Sequence, residues 1–249
     1  MSAVAKHARG DTPAGRRQSP DKPSIRSAAF DATDLLGAKR LTARDREHLA
    51  TISTRLRVRA GTIIFERGDL ATAVYSVGSG AACSFRPLAR ETRRVMAFLF
   101  AEDIFGLARA GHYVNTVQAL TPLTVFRIPL DALKTMLLRN PELQLHFLCK
   151  VTQALRESQR HAILIGSNDP SARVSRFLVM MEQAQPELED DLVHLPMTRT
   201  DIGDYLNLPP AGVGAALSDL ARRRVVALEG PHRVRILDRR LLASQAEEE

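Results

Sequence analysis

The sequence predicts an α+β chain in three successive parts: an antiparallel β-roll, a long helix, and a terminal domain in which two short helices meet a hairpin. Three observations carry the prediction. Residues 55–129 break into short β-type runs punctuated by glycine turns. Residues after Pro141 hold a long apolar seam at helical spacing. Residues 197–226 read as helix, tight turn, second helix and strand.

Taken in order, residues 1–28 are rich in Ala, Gly, Ser, Pro and Arg without apolar periodicity, and read as a disordered basic tail. Residues 42–54 form a short helix started by Thr42. The β-type runs Thr62–Phe65, Val74–Val77, Val95–Phe100 and Thr124–Ile128 alternate with turns at Gly61, Gly68, Gly78, Gly80 and Gly106. Such regular punctuation indicates an antiparallel roll or barrel. A short helix over 131–139 follows. The expected partition is tail 1–28, roll 29–139, long helix 140–167 and terminal domain 168–246.

The long helix begins at Pro141, with Asn140 as its cap, and runs to about Ile165. Leu148, Val151, Leu155, Ser158 and Ala162 recur at spacings of three and four, the a/d seam of a coiled coil. These residues are the expected dimer interface, with Ser158 its weakest position. Leu143, Phe147, Ile163 and Ile165 form a second apolar set expected to cover the roll. His146 and His161 read as surface or interface residues. Cys149 lies beside the seam and is the candidate thiol switch, with an inert cysteine as the bland alternative.

Asp169 and Asn168 supply the cap of a helix over 171–184. An acidic loop, 185–191, and a strand, Leu192–Leu195, come next. In the two-helix motif, Thr198 followed by Asp201 has capping-box spacing. Ile202, Tyr205 and Leu206 share one face. Asn207 suits left-handed backbone angles at the turn. Pro209 and Pro210 are tolerated at the start of a second helix, whose buried stripe is Val213, Leu217 and Leu220. A hairpin over Val225–Leu228 and Arg233–Leu237 then completes a winged helix-turn-helix, a DNA-binding architecture.

Composition bounds the alternatives. At 249 residues, with 45% apolar and 25% charged residues, the chain is of ordinary globular character. No run approaches the roughly 20 apolar residues of a membrane span, and the charged N-terminus lacks the apolar core of a secretory signal. Two cysteines make no disulfide framework, which fits a cytoplasmic protein. Net charge is +7, yet residues 169–249 carry 10 Lys/Arg against 14 Asp/Glu. Within 197–240 the balance reverses to 8 against 5, with the basic groups gathered after the second helix. A local basic edge is enough to track phosphates.

Several runs resemble the Crp/Fnr family of bacterial transcription regulators: Ala60-Gly61-Thr62, Glu66-Arg67-Gly68-Asp69, Ser79-Gly80, Asp103 with Gly106, and the run from Met197 to Leu206. The last is close to the Fnr branch. The resemblance spans about Leu41 to Leu242. It implies a cupin-like, cyclic-nucleotide-binding-like roll, a homodimer and a cytoplasmic regulator. Such a regulator docks on operator DNA and contacts RNA polymerase.

Three departures qualify what is expected. The positions matching the family's nucleotide cassette are Leu107, Tyr113 and Val114, which offer a buried phosphate no cation, so cyclic-AMP binding of the usual kind is not expected. Two cysteines cannot supply the four thiolates of a [4Fe–4S] cluster, and His112 alone in the roll makes no metal centre. No cofactor and no catalytic constellation is expected. On the second motif helix, Ala211, Gly214 and Ala215 stand where the family places its Glu, Ser and Arg readers. Each lost bidentate pair removes roughly 1–3 kcal/mol of base discrimination.

The groups left for DNA are Thr198, Arg199, Thr200, Pro210, Ala211, Gly214, Ala215, Ser218, Arg222, Arg223 and Arg233, with Arg224 and Arg235 beside them. Most are suited to phosphate. The four arginines of 86–94 are the surface offered to RNA polymerase. Two functions remain open. One is a dimeric regulator with altered or relaxed base specificity. The other is a regulatory module that has lost base readout and acts by heterodimerisation or protein contact.

Overall fold

A computed structural model describes residues 42–88, 92–166, 168–186, 188 and 191–247. The tail expected over 1–28, and the start of the roll at 29, lie outside the described residues.

Helix α1 (Ala43–Ile52) starts as its sequence predicts. Thr42 Oγ1 accepts from Asp45 N at 3.1 Å while Asp45 Oδ2 accepts from Thr42 N at 2.9 Å. Ten strands follow: β1 (Thr54–Val58), β2 (Ile63–Phe65), β3 (Ala73–Ser79), β4 (Ala82–Pro87), β5 (Arg93–Leu99), β6 (Ile104–Phe105), β7 (Ala108–Arg109), β8 (His112–Tyr113), β9 (Thr116–Ala119) and β10 (Leu123–Pro129). They form two four-stranded antiparallel sheets, β1-β10-β3-β6 and β2-β9-β4-β5, with β7-β8 as a separate ribbon. Only four of these strands are evident from β-type runs. Of the others, β6 to β9 are two to four residues long, β4 is buried on both faces, where alternation disappears, and β1 is largely exposed.

The pair β4–β5 shows why. Ala82 lies opposite Leu99, and both pack into the roll's own core with Phe65, Val117 and Val125. The next pair, Cys83 and Phe98, points the other way and joins a second core with Phe177, Tyr205 and Leu206. Successive side chains alternate faces, so this sheet is apolar on both. Phe177 is 1% exposed, and such burial is worth about 1.5–3 kcal/mol.

Helix α2 (Leu130–Arg139) leads to α3 (Pro141–Leu164), capped by Asn140, whose Oδ1 accepts from Leu143 N at 3.1 Å. Leu143 is buried, and Phe147 packs with it against Leu49, Ile128 and Leu133. Ile163 departs from expectation: it is 60% exposed, and Leu164 is the residue buried instead. One position turns a helical side chain by about 100°, so the apolar pair faces two directions.

The terminal domain comprises α4 (Pro170–Ala184), β11 (Leu192–His194), α5 (Arg199–Leu206), α6 (Pro210–Arg222), β12 (Val226–Leu228), β13 (Arg233–Ile236) and α7 (Arg239–Glu247). The expected hairpin, β12 with β13, is joined by β11 on the far side of β13 in a three-stranded sheet, β11-β13-β12. Helix α7, packed on α4, has no counterpart in the sequence reading. Its signal is Asp238, whose Oδ1 accepts from Leu241 N at 2.9 Å.

Candidate nucleic-acid interface

The helix-turn-helix is built from its caps inward. Asp201 Oδ2 accepts from Thr198 N at 2.9 Å and from Thr198 Oγ1 at 2.8 Å, and Thr198 Oγ1 accepts from Asp201 N at 3.1 Å. The Thr198 hydroxyl, expected to meet phosphate, is therefore engaged within the cap. Asn207 takes left-handed angles, φ 55° and ψ 46°, and ends α5. The following turn is so close that a Cβ on Gly203 would stand 2.5 Å from the Leu208 carbonyl oxygen. Pro209 caps α6 and Pro210 opens it.

On α6, Val213, Ala216, Leu217 and Leu220 are buried. Ala211, Ala215 and Ser218 are exposed and Gly214 half-exposed. At i, i+3, i+4 and i+7 these four occupy one stripe. A Cβ on Gly214 would meet nothing within 4 Å. The stripe carries one hydroxyl and otherwise nothing larger than a methyl group.

The start of α5 and the wing tip come together. Arg199 Nη2 donates to the Pro231 carbonyl at 3.3 Å, Leu195 N donates to His232 O at 2.7 Å, and His232 Nδ1 lies 2.8 Å from Leu195 O. Arg199 Nη1 is buried with no protein partner among the described residues, and burial lowers the guanidinium pKa. Thr200 and Arg233 are exposed beside it. His194 lies at the wing base, where burial first, then His232 and Arg233, lower its pKa.

The arginines at the end of α6 and on the wing make surface ion pairs while their side chains stay partly or largely exposed. Arg222 pairs with Asp219, and Arg223 Nη1 lies 3.5 Å from the same carboxylate. Arg235 Nε donates to Glu229 at 2.6 Å. The left-handed residue Arg224, φ 58°, closes the helix end, with Val225 N donating to Leu220 O at 3.0 Å. Arg199 at the start of α5 and exposed Arg233 on β13 complete the basic groups of the domain's wing side.

The seam residues on α3 lie open. Leu148 and Leu155 are each 59% exposed, Ser158 and Ala162 are exposed, and Val151 is half-buried. Cys149 is half-buried, its Sγ donating to Leu145 O at 2.9 Å. Cys83 is fully buried, and burial pushes its thiol up to about 12.

Two histidines and two arginines sit differently from their sequence reading. His146 Nδ1 lies 2.6 Å from Asp45 Oδ2. The His161 ring stacks on Tyr205 of α5, centroids 4.0 Å apart. Arg93 pairs with Asp201, and Arg94 Nη1 donates to Asn207 Oδ1 at 3.3 Å. Of the stretch offered to RNA polymerase, these two arginines face α5, while Arg86 is exposed. Sequence patterns missed the pairings because all join distant segments.

Inside the roll, Tyr113 is buried and stacked on Phe65 at 3.8 Å, and its hydroxyl donates to Ala73 O at 2.8 Å. Tyr75 and Phe105 complete the ring cluster. Leu107 is 40% exposed and Val114 half-buried. Among the described residues no group of three His, Cys, Asp or Glu could hold a metal ion, and no helix is long and apolar enough to cross a membrane.

Comparison with known proteins agrees with this architecture. Residues 55–140 match the cyclic nucleotide-binding domain model, and residues 172–245 match the Crp-like helix-turn-helix domain model. The transcriptional activator protein FnrA of Stutzerimonas stutzeri is 26% identical over 203 residues, 80% of this chain and 83% of that protein. The nitrogen fixation regulation protein FixK of Rhizobium meliloti is 28% identical over 184 residues, covering 74% of this chain and 83% of its own length. The solved structure of FixK2 from Bradyrhizobium japonicum superposes with a TM-score of 0.73 at 26% identity, over 78% of this chain and 97% of that one. With a matching roll, a matching reader and these relatives, the chain belongs to the Crp/Fnr family of DNA-binding transcription regulators, which are not enzymes.

Proposed function

We propose that the chain acts as a cytoplasmic homodimer that sets its winged helix-turn-helix on operator DNA, held mainly through the DNA backbone, with altered or relaxed base specificity. The observation that carries this is the exposed α6 stripe of Ala211, Gly214, Ala215 and Ser218. Ala211, Gly214 and Ala215 can neither grip guanine bidentately nor accept from cytosine N4, and Ser218 adds a single short hydroxyl. Small side chains let a helix approach the groove floor and read thymine methyls or groove shape. Arg199, Thr200 and Arg233 supply phosphate contacts that set register. The exposed leucines of α3 supply the two-fold seam. This reading uses the partition 29–139, 140–167 and 168–246.

The roll serves as a scaffold without a cyclic nucleotide of the usual kind. Its interior is filled by Phe65, Tyr75, Phe105 and Tyr113, and Tyr113 spends its hydroxyl on Ala73. RNA polymerase is the further partner that family resemblance supports, with exposed Arg86 still available to it.

Selection of bound duplexes from a random library tests the proposal. An enriched motif, bound at least about 10³-fold more tightly than random duplex, supports a specific regulator. A ratio near unity with retained salt-dependent binding favours the second reading, a module without base readout. The same small-residue stripe is the feature that favours it.

A further inference from the structure

Asp201 is a carboxylate with two separate duties. It is 2% exposed. One oxygen serves the α5 cap through Thr198, and the other accepts from Arg93 Nη2 of β5. Arg93 Nε lies 3.9 Å from Asp204 Oδ2, nearly one turn further along α5. The same guanidinium is anchored to the roll. Nη1 donates to Gln118 Oε1 on β9 at 3.3 Å, and Cζ lies 4.7 Å from the centroid of the Phe85 ring. The planar fork of arginine suits such multiple engagement.

We infer that Arg93 is a positioning residue for DNA binding: held by the roll, it sets the orientation of α5, and through it α6, by bridging Asp201 and Asp204. This rests on the proposed DNA-docking reading. Arg93 is not a DNA contact in this scheme; it acts through the carboxylates that cap and flank the first motif helix. The surroundings give it a distinctive signature. The charged and titratable groups facing the pair are Arg93 and Arg94 of β5, Cys83 of β4, and Asp201 and Asp204 themselves. Burial raises the Asp204 carboxyl from its ordinary value; Arg93 opposes this, Asp201 adds to it and Arg94 opposes it. Without Arg93, two carboxylates repel across a poorly solvated contact. Acid then relieves the defect by protonating one of them. An arginine that merely filled space would leave a defect independent of pH.

The test uses the full chain with Cys149→Ser, so that Cys83 is its sole thiol. Two readouts are taken for R93A, R93K, R93A/D204N and, as control, R57A at an exposed arginine of β1. One is affinity for a duplex selected by the parent protein. The other is the rate at which N-ethylmaleimide modifies Cys83 without DNA, compared between variants at equal pH. R93A is expected to bind about tenfold more weakly, within the usual range of coupling between sites, and to label Cys83 faster. R93K is intermediate and R57A is unchanged. The affinity deficit of R93A shrinks as pH falls toward the carboxylate range, and D204N restores most of both losses. Parent-like binding by R93A, or an R93A/D204N protein no better than R93A, overturns the inference. Faster labelling at unchanged affinity overturns the positioning role and leaves the DNA reading intact. Failure of the parent to select any duplex overturns the DNA reading and this inference with it.

Discussion

The His161 ring lies flat on the Tyr205 ring, 9° from parallel, with Nε2 2.7 Å from the Tyr205 carbonyl oxygen. The long helix thus meets the first motif helix through one titratable group. Burial first, and then Arg94, lower the His161 pKa from 6.5, with the Tyr205 carbonyl opposing. A lowered pKa means the unfolded chain binds the proton more readily. The contribution of His161 to stability is therefore complete above pH 6.5 and lost as pH falls through the folded-state pKa. Urea titrations across this range should show the loss in the parent. H161F, which keeps the ring, should show a shallower acid slope, although His194 still contributes one of its own.

Two motif glycines should respond in opposite directions. Gly214→Ala places a methyl group in open space within a helix. It should stabilise by roughly 0.5–1 kcal/mol. Gly203→Ala drives a Cβ to 2.5 Å from the Leu208 oxygen and should destabilise the domain. Chemical denaturation of the two variants checks the sign of each.

Salt dependence should separate phosphate contacts from ion-paired arginines. Arg233→Ala should lower the slope of log K against log[salt] by about one. Arg223→Ala should lower that slope less, because Arg223 Nη1 lies 3.5 Å from the Asp219 carboxylate, which competes with phosphate for it. Fluorescence anisotropy on a selected duplex at several salt concentrations measures both.

The seam should set the oligomeric state. Leu155→Asp puts a charge on an exposed leucine at the centre of the stripe, and the protein should sediment as a monomer. Ser158→Leu fills the weakest seam position and should tighten the dimer, visible as a lower dissociation constant in sedimentation equilibrium.

Local chemistry was the legible part of this protein. Thr42 with Asp45, Asn140 before Pro141, and Thr198 with Asp201 each mark a helix start, and all three caps are formed. Asn207 and Pro210 place the turn between α5 and α6. The roll was legible as a class from its glycine turns, but not strand by strand. Strands such as β4 face two cores and lose the alternation that would reveal them. The candidate interface was legible as a list of basic groups, yet their ion pairs were not. Arg222 and Arg223 turn to Asp219, and Arg235 turns to Glu229.

The sequence by itself determined where several helices begin, which residues share a face, and that Ala211, Gly214 and Ala215 put nothing larger than a methyl group on the α6 stripe. These follow from interactions within a few residues of one another, whose geometry is set by the backbone. Only the tertiary structure decided that Arg93 and Asp201, 108 residues apart, form one contact, and that His161 and Tyr205, 44 residues apart, form another. Burial makes those pairings strong, because a guanidinium or imidazole withdrawn from water must find its partner in the protein. Which partner it finds depends on how the two sheet faces pack, and no local pattern encodes that.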